Sequence, residues 1–357
     1  MVSIKDVAAL AGVSDRTVSR VASGDTKLVR PRTRKKVLKA IEDLGYVPNR
    51  AAQLMRTSRS LVIGLMTDVV ATTPFSTDIV RGIQDALEST PYTLLTINTS
   101  GDPAKEARSW QTFREHGIDG VLYVTMFHRQ LPVAAQFPGI PVVLVNCSAP
   151  AHPELPYIVP DDYRGGYDAA AHLLAKGHRK LAYVALNENI LAADLRGNAF
   201  LDALAGERVE ARSEWIVPGL VGDVFKDRFV AFENVTRILK QADRPTGIVC
   251  GNDEIALQCY CAALELGLKI PHDISIVGFD DFQAVSNVVE PKLTTMALPY
   301  HEMGSLAVET LVGMLKGNAP KVLHTKYRCK LIERGSVVQR DETPSDTAGP
   351  ARLSIEP

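Results

Sequence analysis

The first residues of the chain predict two short helices joined by a turn. The apolar residues that share one helical face are Ile4, Val7, Ala8 and Leu10. Gly12 then interrupts the pattern, Ser14 is placed to cap a second helix, and the buried side of that helix continues through Val18 and Val21. This pattern is typical of a helix-turn-helix.

A third helix is predicted over residues 33–44. Its apolar stripe consists of Val37, Leu38, Ile41 and Leu44, and Gly45 ends it. Asn49 can cap a further short helix over residues 49–56. That segment has few large apolar residues to bury, so it is not expected to be stable alone. The polar residues 57–60 are typical of a linker.

From residue 61 onward, short β-rich runs alternate with helical stretches. The runs cover residues 61–66, 93–98, 120–124, 142–145, 181–185, 247–250 and 274–277. Continuous apolar strands separated by helices indicate parallel sheets covered on both faces, and about 280 residues of this pattern suit two lobes better than one. We predict an all-α headpiece (1–48), a short helix and linker (49–60), an α/β core of two doubly wound parallel-sheet lobes (61–340) and a disordered tail (341–357).

The charges are distributed unevenly along the chain. The whole chain has 40 Lys and Arg against 41 Asp and Glu, a net charge of −1. The first 60 residues hold 13 Lys and Arg but only 5 Asp and Glu, which leaves +8 there and −9 elsewhere. A basic module joined to an acidic body is expected when one part contacts nucleic acid. The outward side chains of the second helix, which can reach base edges and phosphates in a major groove, are Asp15, Arg16, Thr17 and Arg20.

The sequence carries no sign of export, of a membrane span or of a metal site. No apolar core with a small-residue cleavage site begins the chain, and no apolar run approaches the length of a span, so we expect a cytoplasmic protein without a membrane partner. The cysteines, odd in number and irregular in spacing, are Cys147, Cys250, Cys259, Cys261 and Cys329. We expect buried, reduced thiols, no metal and no cofactor.

Short polar residues follow several predicted strands. They are Asp68, Asn146, Asn252, Asp253, Asp280 and Asp281. The carboxyl ends of parallel strands meet at one crevice, so these groups could converge on a ligand. They could equally cap the helices that follow. Spacing alone leaves both interpretations open.

Catalytic motifs are not found in the sequence. It has no metalloprotease His pair, no nucleophile elbow, no Walker loop and no dinucleotide fingerprint. His178 precedes a strand, and no carboxylate or nucleophile is tied to it by sequence, so we expect a structural role. We therefore predict no catalytic residue and no enzyme activity.

Five groups of residues match one known family. They are IKDVA (4–8) with GVS (12–14) and TVSR (17–20), GYVPN (45–49), GHR (177–179), ND (252–253), and VGFDD (277–281) with LTT (293–295). From about residue 3 to about residue 338 the chain resembles the lactose/galactose repressor family of bacterial transcription regulators. The resemblance implies a homodimer that binds pseudo-palindromic operator DNA. It also implies a core, similar to periplasmic sugar-binding proteins, that holds a small effector and thereby controls repression.

The resemblance places DNA contacts in the headpiece and in a hinge. Asp15 and Arg16 fall at base-reading positions, and Arg suits guanine while Asp accepts from cytosine, so a C·G-rich half-site is expected. Contacts to the backbone and adjacent base edges are expected from Ser14, Thr17, Ser19 and Arg20. Residues 49–56, beginning at Asn49, resemble the hinge helix that folds only on DNA. Met55 stands at its minor-groove wedge position, where most members have Leu.

The resemblance also implies an effector site. Its residues would be Phe75, Asn146, Asp161, Arg196, Asn252, Asp280 and Tyr300. Charged and amide groups bond sugar hydroxyls while aromatic rings cover apolar ring faces, so we expect a sugar or sugar derivative. The alternatives are a nucleobase or nucleoside that acts as a corepressor, and a solute-binding protein of the transport type, which the headpiece disfavours.

Overall fold

The computed structural model of the chain describes residues 2–22, 28–46, 59–73, 77–132, 137, 139–320 and 324–340. By its internal contacts the chain divides into two units, residues 1–61 with 115–119 and residues 62–114 with 120–357. The predicted short helix at 49–56, including Asn49 and Met55, lies outside the described residues, as do Phe75 and the tail after residue 340.

The described part of the first unit is helical. Its helices are α1 (Ile4–Ala11), α2 (Asp15–Ala22) and α3 (Pro31–Leu44). Ser3 and Asp6 form a capping box at the start of α1, and Gly12 ends it at φ 64°, where glycine is tolerated. Ser14 Oγ accepts a hydrogen bond from the Thr17 N–H at 3.3 Å. The buried core of this unit includes Val7, Val18, Val37 and Ala40. The predicted helix-turn-helix is confirmed.

The second unit folds as two lobes. The first lobe has strands β1 (Val62–Thr67), β2 (Thr93–Asn98), β3 (Gly120–Gln130), β4 (Val142–Ser148), β5 (Tyr157–Pro160) and β13 (His324–Tyr327). They pair in the order β13-β5-β4-β3-β1-β2, all parallel. Its helices are α4 (Thr77–Glu88), α5 (Pro103–Glu115) and α11 (Tyr300–Leu315), with a 3-10 turn at Val70–Thr72.

The second lobe repeats this plan with one reversed edge strand. Its strands are β6 (Leu181–Ala185), β7 (Ile216–Pro218), β10 (Gly247–Cys250), β11 (Ser275–Asp280), β12 (Thr294–Ala297) and β14 (Lys330–Ile332). They pair in the order β14-β12-β11-β10-β6-β7, with β14 antiparallel to β12. Its helices are α6 (Asp162–Ala175), α7 (Leu191–Gly206), α8 (Ala231–Leu239), α9 (Asp253–Glu265) and α10 (Gln283–Ser286).

Helices cover both faces of the second sheet. Helices α6 and α7 bury one face in a cluster with Phe200 and Phe279, and helices α8 and α9 bury the other with Trp215 and Ile255. A short hairpin of β8 (Leu220–Val221) and β9 (Arg228–Phe229) precedes α8. The predicted fold class, a helical headpiece with a core of two parallel-sheet lobes, is confirmed.

Two expectations about single residues have different outcomes. His178 is structural, as expected: its Nδ1 lies 3.0 Å from Thr246 Oγ1, and burial lowers its pKa to about 4. The expectation of buried cysteines is wrong for Cys261, which is exposed on α9, whereas the other four are buried. Among the described residues, no helix combines the length and the apolar character that a membrane span needs.

Candidate functional site

A cavity of about 410 Å³ lies between the two lobes, and we call it the cleft. Its first-lobe wall includes His128 and Asn146, and its second-lobe wall includes Arg196, Asn252 and Asp280. Most of these residues stand at or just after the carboxyl ends of strands, where open parallel sheets bind ligands. The volume is in the range of small-molecule sites.

Five of the predicted effector residues line the cleft: Asn146, Arg196, Asn252, Asp280 and Tyr300. Asp161 is not among the lining residues. Its carboxylate caps α6 by accepting a hydrogen bond from the Arg164 N–H at 3.1 Å. The next residue, Asp162, does not line the cleft either, but its buried carboxylate bonds Arg196, which does.

Arg196 is held by a network of buried groups. Its Nε and Nη2 donate to Asp162 Oδ1 at 2.7 and 2.6 Å, and its Nη1 donates to the Gly251 carbonyl at 2.6 Å. Its Cζ lies 3.5 Å from the ring centre of Phe279, a cation–π contact. Nη1 is also 3.6 Å from Asp280 Oδ1. The guanidinium is therefore a fixed part of the cleft wall.

The carboxyl groups near Arg196 differ in their preferred charge. Burial raises the pKa of Asp162, but the attraction of Arg196 and the hydrogen bond with His128 outweigh it, so the pKa lies below its ordinary value. Burial raises the pKa of Asp280 well above its ordinary value, and Arg196 offsets this only in part. Burial also raises the pKa of Tyr300, and the negative charge of Asp280 adds to the shift. Arg196 thus lies between an ionised carboxylate behind the cleft wall, Asp162, and a carboxyl group in the wall that holds its proton more readily, Asp280.

Two cleft residues have backbone conformations with positive φ, which residues other than glycine rarely adopt. Asn146 has φ 60° within β4, and Asp280 has φ 110° at the end of β11. Such conformations persist where the surroundings enforce them, and they cluster at ligand sites. Asn146 Nδ2 donates to the carbonyls of Thr125 and Met126 at 3.0 and 2.9 Å, while its Oδ1 is buried and has no hydrogen-bond partner among the described residues. One acceptor of a residue that lines the cleft therefore has no donor within this part of the chain.

The polar residues that follow strands were predicted either to bind a ligand or to have a structural role such as helix capping, and both roles occur. Asp68 accepts backbone N–H groups, Asp253 accepts from the Thr295 hydroxyl at 2.6 Å, and Asp281 forms an ion pair, so these three are structural. Asn252 has both roles. It caps α9 through its Oδ1 and also lines the cleft.

Sequence reasoning missed several polar residues of the cleft. They are His128, Asn187, Asp227 and Glu254. Burial raises the pKa of Glu254, and the negative charge of Asp227 adds to the shift. None of these residues belongs to a motif, and His128 is an isolated histidine beyond the predicted end of its strand. Only the length of β3, which continues to Gln130, brings His128 to the cleft.

The hairpin of the second lobe contacts the first lobe through Phe225. The Phe225 ring centre lies 6.2 Å from that of Phe127 and 5.7 Å from the Arg129 guanidinium. A Cβ on Gly101, which has φ 70°, would overlap the Phe225 ring, so the ring occupies a place that only glycine leaves open. Phe225 also lines the cleft. We call this contact of Phe225 with Phe127, Arg129 and Gly101 the hairpin contact.

The predicted DNA-reading residues differ in exposure. Ser14, Asp15 and Arg16 are exposed, whereas Thr17 and Arg20 are half-buried. Ser19 is buried in the headpiece, and its contact with DNA stays a prediction. Exposed basic residues of this unit include Lys5, Arg32, Lys36 and Lys39. Such a surface can replace the counterions of DNA phosphates.

A basic helix-turn-helix joined to a two-lobed core with a polar cleft defines a DNA-binding regulator that responds to a small ligand. The family model for bacterial regulatory proteins of the lacI family matches residues 3–49. The model for periplasmic binding proteins and the sugar binding domain of the LacI family matches residues 60–334. The chain belongs to the LacI family of bacterial regulatory proteins.

Relatives match over nearly the whole chain. The sucrose operon repressor of Escherichia coli is 34% identical over 344 residues, which cover 94% of this chain and 100% of the repressor. The transcriptional repressor PurR of Proteus mirabilis is 30% identical, with coverage of 94% and 97%. These relatives are transcriptional regulators rather than enzymes.

Solved structures show the same architecture. A protein from Rhizobium etli, described as a transcriptional regulator of this family, is 43% identical, with a TM-score of 0.74 and coverage of 78% of this chain and 100% of that one. The Lac repressor dimer bound to operator and the anti-inducer ONPF is 26% identical, with a TM-score of 0.77 and coverage of 94% and 99%.

Proposed function

We propose that this regulator is a repressor and that its effector is a sugar or sugar derivative bound in the cleft. The observation that carries the proposal is the mixture of groups in the cleft wall. Arg196 supplies donors, Asp280 and the amide of Asn252 supply polar atoms, and Phe225 and Phe229 supply aromatic surface. A sugar needs this combination, because its hydroxyls require charged or amide partners and its ring faces require apolar cover.

The relatives support the same class of ligand. One is named for the sucrose operon. Another solved structure is the transcriptional regulator CelR in complex with cellobiose, 25% identical, with a TM-score of 0.64 and coverage of 94% of this chain and 100% of that one. Both names concern carbohydrates, which favours a mono- or disaccharide here.

The headpiece supports a proposal for the DNA. A chain with one helix-turn-helix binds a palindromic site as a twofold dimer, so we propose a homodimer on a pseudo-palindromic operator. Arg16 and Asp15 would contact base edges in the major groove of each half-site. Because the operator is chromosomal, the site of action would be the cytoplasm.

Calorimetry on the full-length chain tests the effector class. The panel is sucrose, cellobiose, glucose, galactose and ribose, with adenine, hypoxanthine and guanosine as the competing class. We expect one of the sugars to bind at roughly micromolar Kd, as is usual for sensing a metabolite. The same sugar should change the affinity for an operator selected from random-sequence DNA.

Two matched variants connect binding to the cleft. Asp280→Ala removes the carboxyl group from the cleft wall and should weaken the sugar about tenfold, the loss expected when a buried hydrogen-bond partner of the ligand is removed. Asp202→Ala makes the same change on the exposed side of α7, where the carboxylate bonds only Tyr163 in the described structure, and should leave sugar binding unchanged. Binding of a purine without any sugar would overturn the proposal, and so would equal sugar affinities in both variants.

A further inference from the structure

His128 is a cleft residue whose side chain is oriented by a buried carboxylate. It lies near the end of β3 in the first lobe and is 7% exposed. Its Nδ1 lies 2.6 Å from Asp162 Oδ2, and Asp162 begins α6 in the second lobe. The other oxygen of the same carboxylate receives Nε and Nη2 of Arg196. One buried carboxylate therefore orients a side chain from each lobe.

The charge of Asp162 decides which nitrogen of His128 carries the proton. Burial raises the pKa of Asp162, but the attraction of Arg196 and the hydrogen bond with His128 together hold it below its ordinary value, so the group is a carboxylate that only accepts hydrogen bonds. His128 Nδ1 must then be the donor. In the neutral ring the proton is on Nδ1, and Nε2 is an acceptor.

The second nitrogen of His128 is the one left for a ligand. Within the described residues Nε2 forms no hydrogen bond, and it is not among the side-chain atoms that are both buried and unpartnered. It is therefore accessible, and the cleft is the cavity that the residue lines. Asp162 itself is not a lining residue, so it acts through His128 and Arg196.

We infer that His128 Nε2 contacts the effector and selects a hydroxyl group at that position, while Asp162 is a positioning residue. A hydroxyl both donates and accepts, so it pairs with Nε2 in either protonation state of the ring. An ether or carbonyl oxygen pairs only with the imidazolium, and an N–H group pairs only with the neutral ring. This inference rests on the proposed function and makes it more specific.

Two amide substitutions separate the nitrogens of His128. In His128→Asn the side-chain amide stands near the place of Nδ1 and can still donate to Asp162, but nothing replaces Nε2. In His128→Gln the amide stands near the place of Nε2 and the bond to Asp162 is lost. The probe is the sugar of the panel that binds the wild-type chain most tightly, together with its monodeoxy analogues.

We expect His128→Asn to bind the parent sugar about tenfold more weakly than the wild type does, as for loss of a buried hydrogen bond. For one monodeoxy analogue, wild type and His128→Asn should bind equally, because the hydroxyl that His128 contacts is already absent. His128→Gln should keep part of the preference for the parent sugar. Thermal melts of each variant establish that it is folded.

The positioning role of Asp162 has a spectroscopic test. In the wild type, ¹⁵N spectra of the His128 ring should show the proton on Nδ1, and in Asp162→Asn the tautomer should shift toward protonated Nε2. A wild-type ring protonated on Nε2 would overturn the positioning role.

The sugar experiment distinguishes two failures. If a sugar binds the wild type and His128→Asn binds it within twofold, only the assignment of His128 is overturned. If no sugar of the panel binds the wild type, the proposed function is overturned together with the inference that rests on it.

Discussion

Replacement of Arg196 by alanine should destabilise the core as well as change ligand binding. The guanidinium is the close cationic partner of Asp162, which is 1% exposed. Among the described residues, the carboxylate would then keep only His128 as a side-chain partner, and the Gly251 carbonyl would lose the Arg196 donor. A buried charge that loses its partner costs about 3–5 kcal/mol. We expect Arg196→Ala to lose about that much free energy of unfolding.

A double variant shows how much of this loss in free energy of unfolding comes from the buried Asp162 charge that has lost its cationic partner. Asp162→Asn with Arg196→Met removes both charges and keeps similar volumes. Replacing both members of a buried ion pair is often neutral, whereas removing one is not. The double variant should therefore be more stable than the summed losses of the single variants Asp162→Asn and Arg196→Met predict, by a coupling energy of about 2 kcal/mol.

Guanidinium chloride unfolding followed by tryptophan fluorescence measures these energies. The two tryptophans report both lobes, because Trp110 lies on α5 in the first and Trp215 is in the core of the second. The control is Arg164→Ala, a half-exposed arginine paired with Asp168, where a loss under about 1 kcal/mol is expected. A loss below 1 kcal/mol in Arg196→Ala, or additive losses in the double variant, would refute the reasoning.

Further predictions concern the headpiece, the pH dependence of stability and the hairpin. Arg16→Ala should cost about 1–3 kcal/mol of operator affinity and relax discrimination at one base pair, as measured by competition with single-base operator variants; an equal loss for all sequences would contradict base reading. Burial raises the pKa of Asp253 from 3.8 to about 7, so the folded chain holds a proton that the unfolded chain releases, and stability should fall as pH rises from about 4 to about 7. Asp253→Asn should flatten this slope in denaturation at a series of pH values, and an unchanged slope would argue against the raised pKa. Phe225→Ala should increase amide hydrogen exchange in residues 219–230, because it removes the hairpin contact. Phe229→Ala leaves the hairpin contact intact and should increase exchange less. Equal exchange in both variants would count against the hairpin contact.

Elements with strong local signals could be predicted from the sequence. The turn of the headpiece depends on Gly12 and Ser14, and both act within four residues of their own position. Strands β6 and β10 have the predicted bounds, because continuous apolar runs mark buried strands. Strand β2 also has the predicted bounds, although none of its residues is buried. Strands such as β5 and β14 were missed. They have four and three residues, too few to show a period, and their pairing depends on distant parts of the chain.

The residues of the cleft could be predicted only in part, from the rule that open parallel sheets bind ligands at the carboxyl ends of their strands. The rule selects residues at the carboxyl ends of strands, and it found Asn146, Asn252 and Asp280. It cannot tell them from Asp68 or Asp253, because that difference lies in which way each side chain turns in the folded lobe.

For the same reason, the sequence could not show which of Asp161 and Asp162 bonds Arg196. Both are aspartates at the start of α6, and successive helical positions differ by about 100° in direction. One of them caps the helix and the other enters the interior. Only the packing of α7 against α6, which brings Arg196 to Asp162, decides between the two.

The contacts between the lobes explain how a ligand in the cleft can act on the chain. A ligand shifts a conformational equilibrium only by the difference in its contacts with the two states. The lobes already contact each other through His128 with Asp162, and through the hairpin contact of Phe225. A ligand that touches His128 and Arg196 adds to the first contact, since Asp162 holds both of those side chains. The free energy by which the ligand stabilises contact between the lobes therefore adds to that of contacts that exist without it. If the hairpin contact is weakened, the ligand should supply a larger fraction of the total free energy that holds the lobes together.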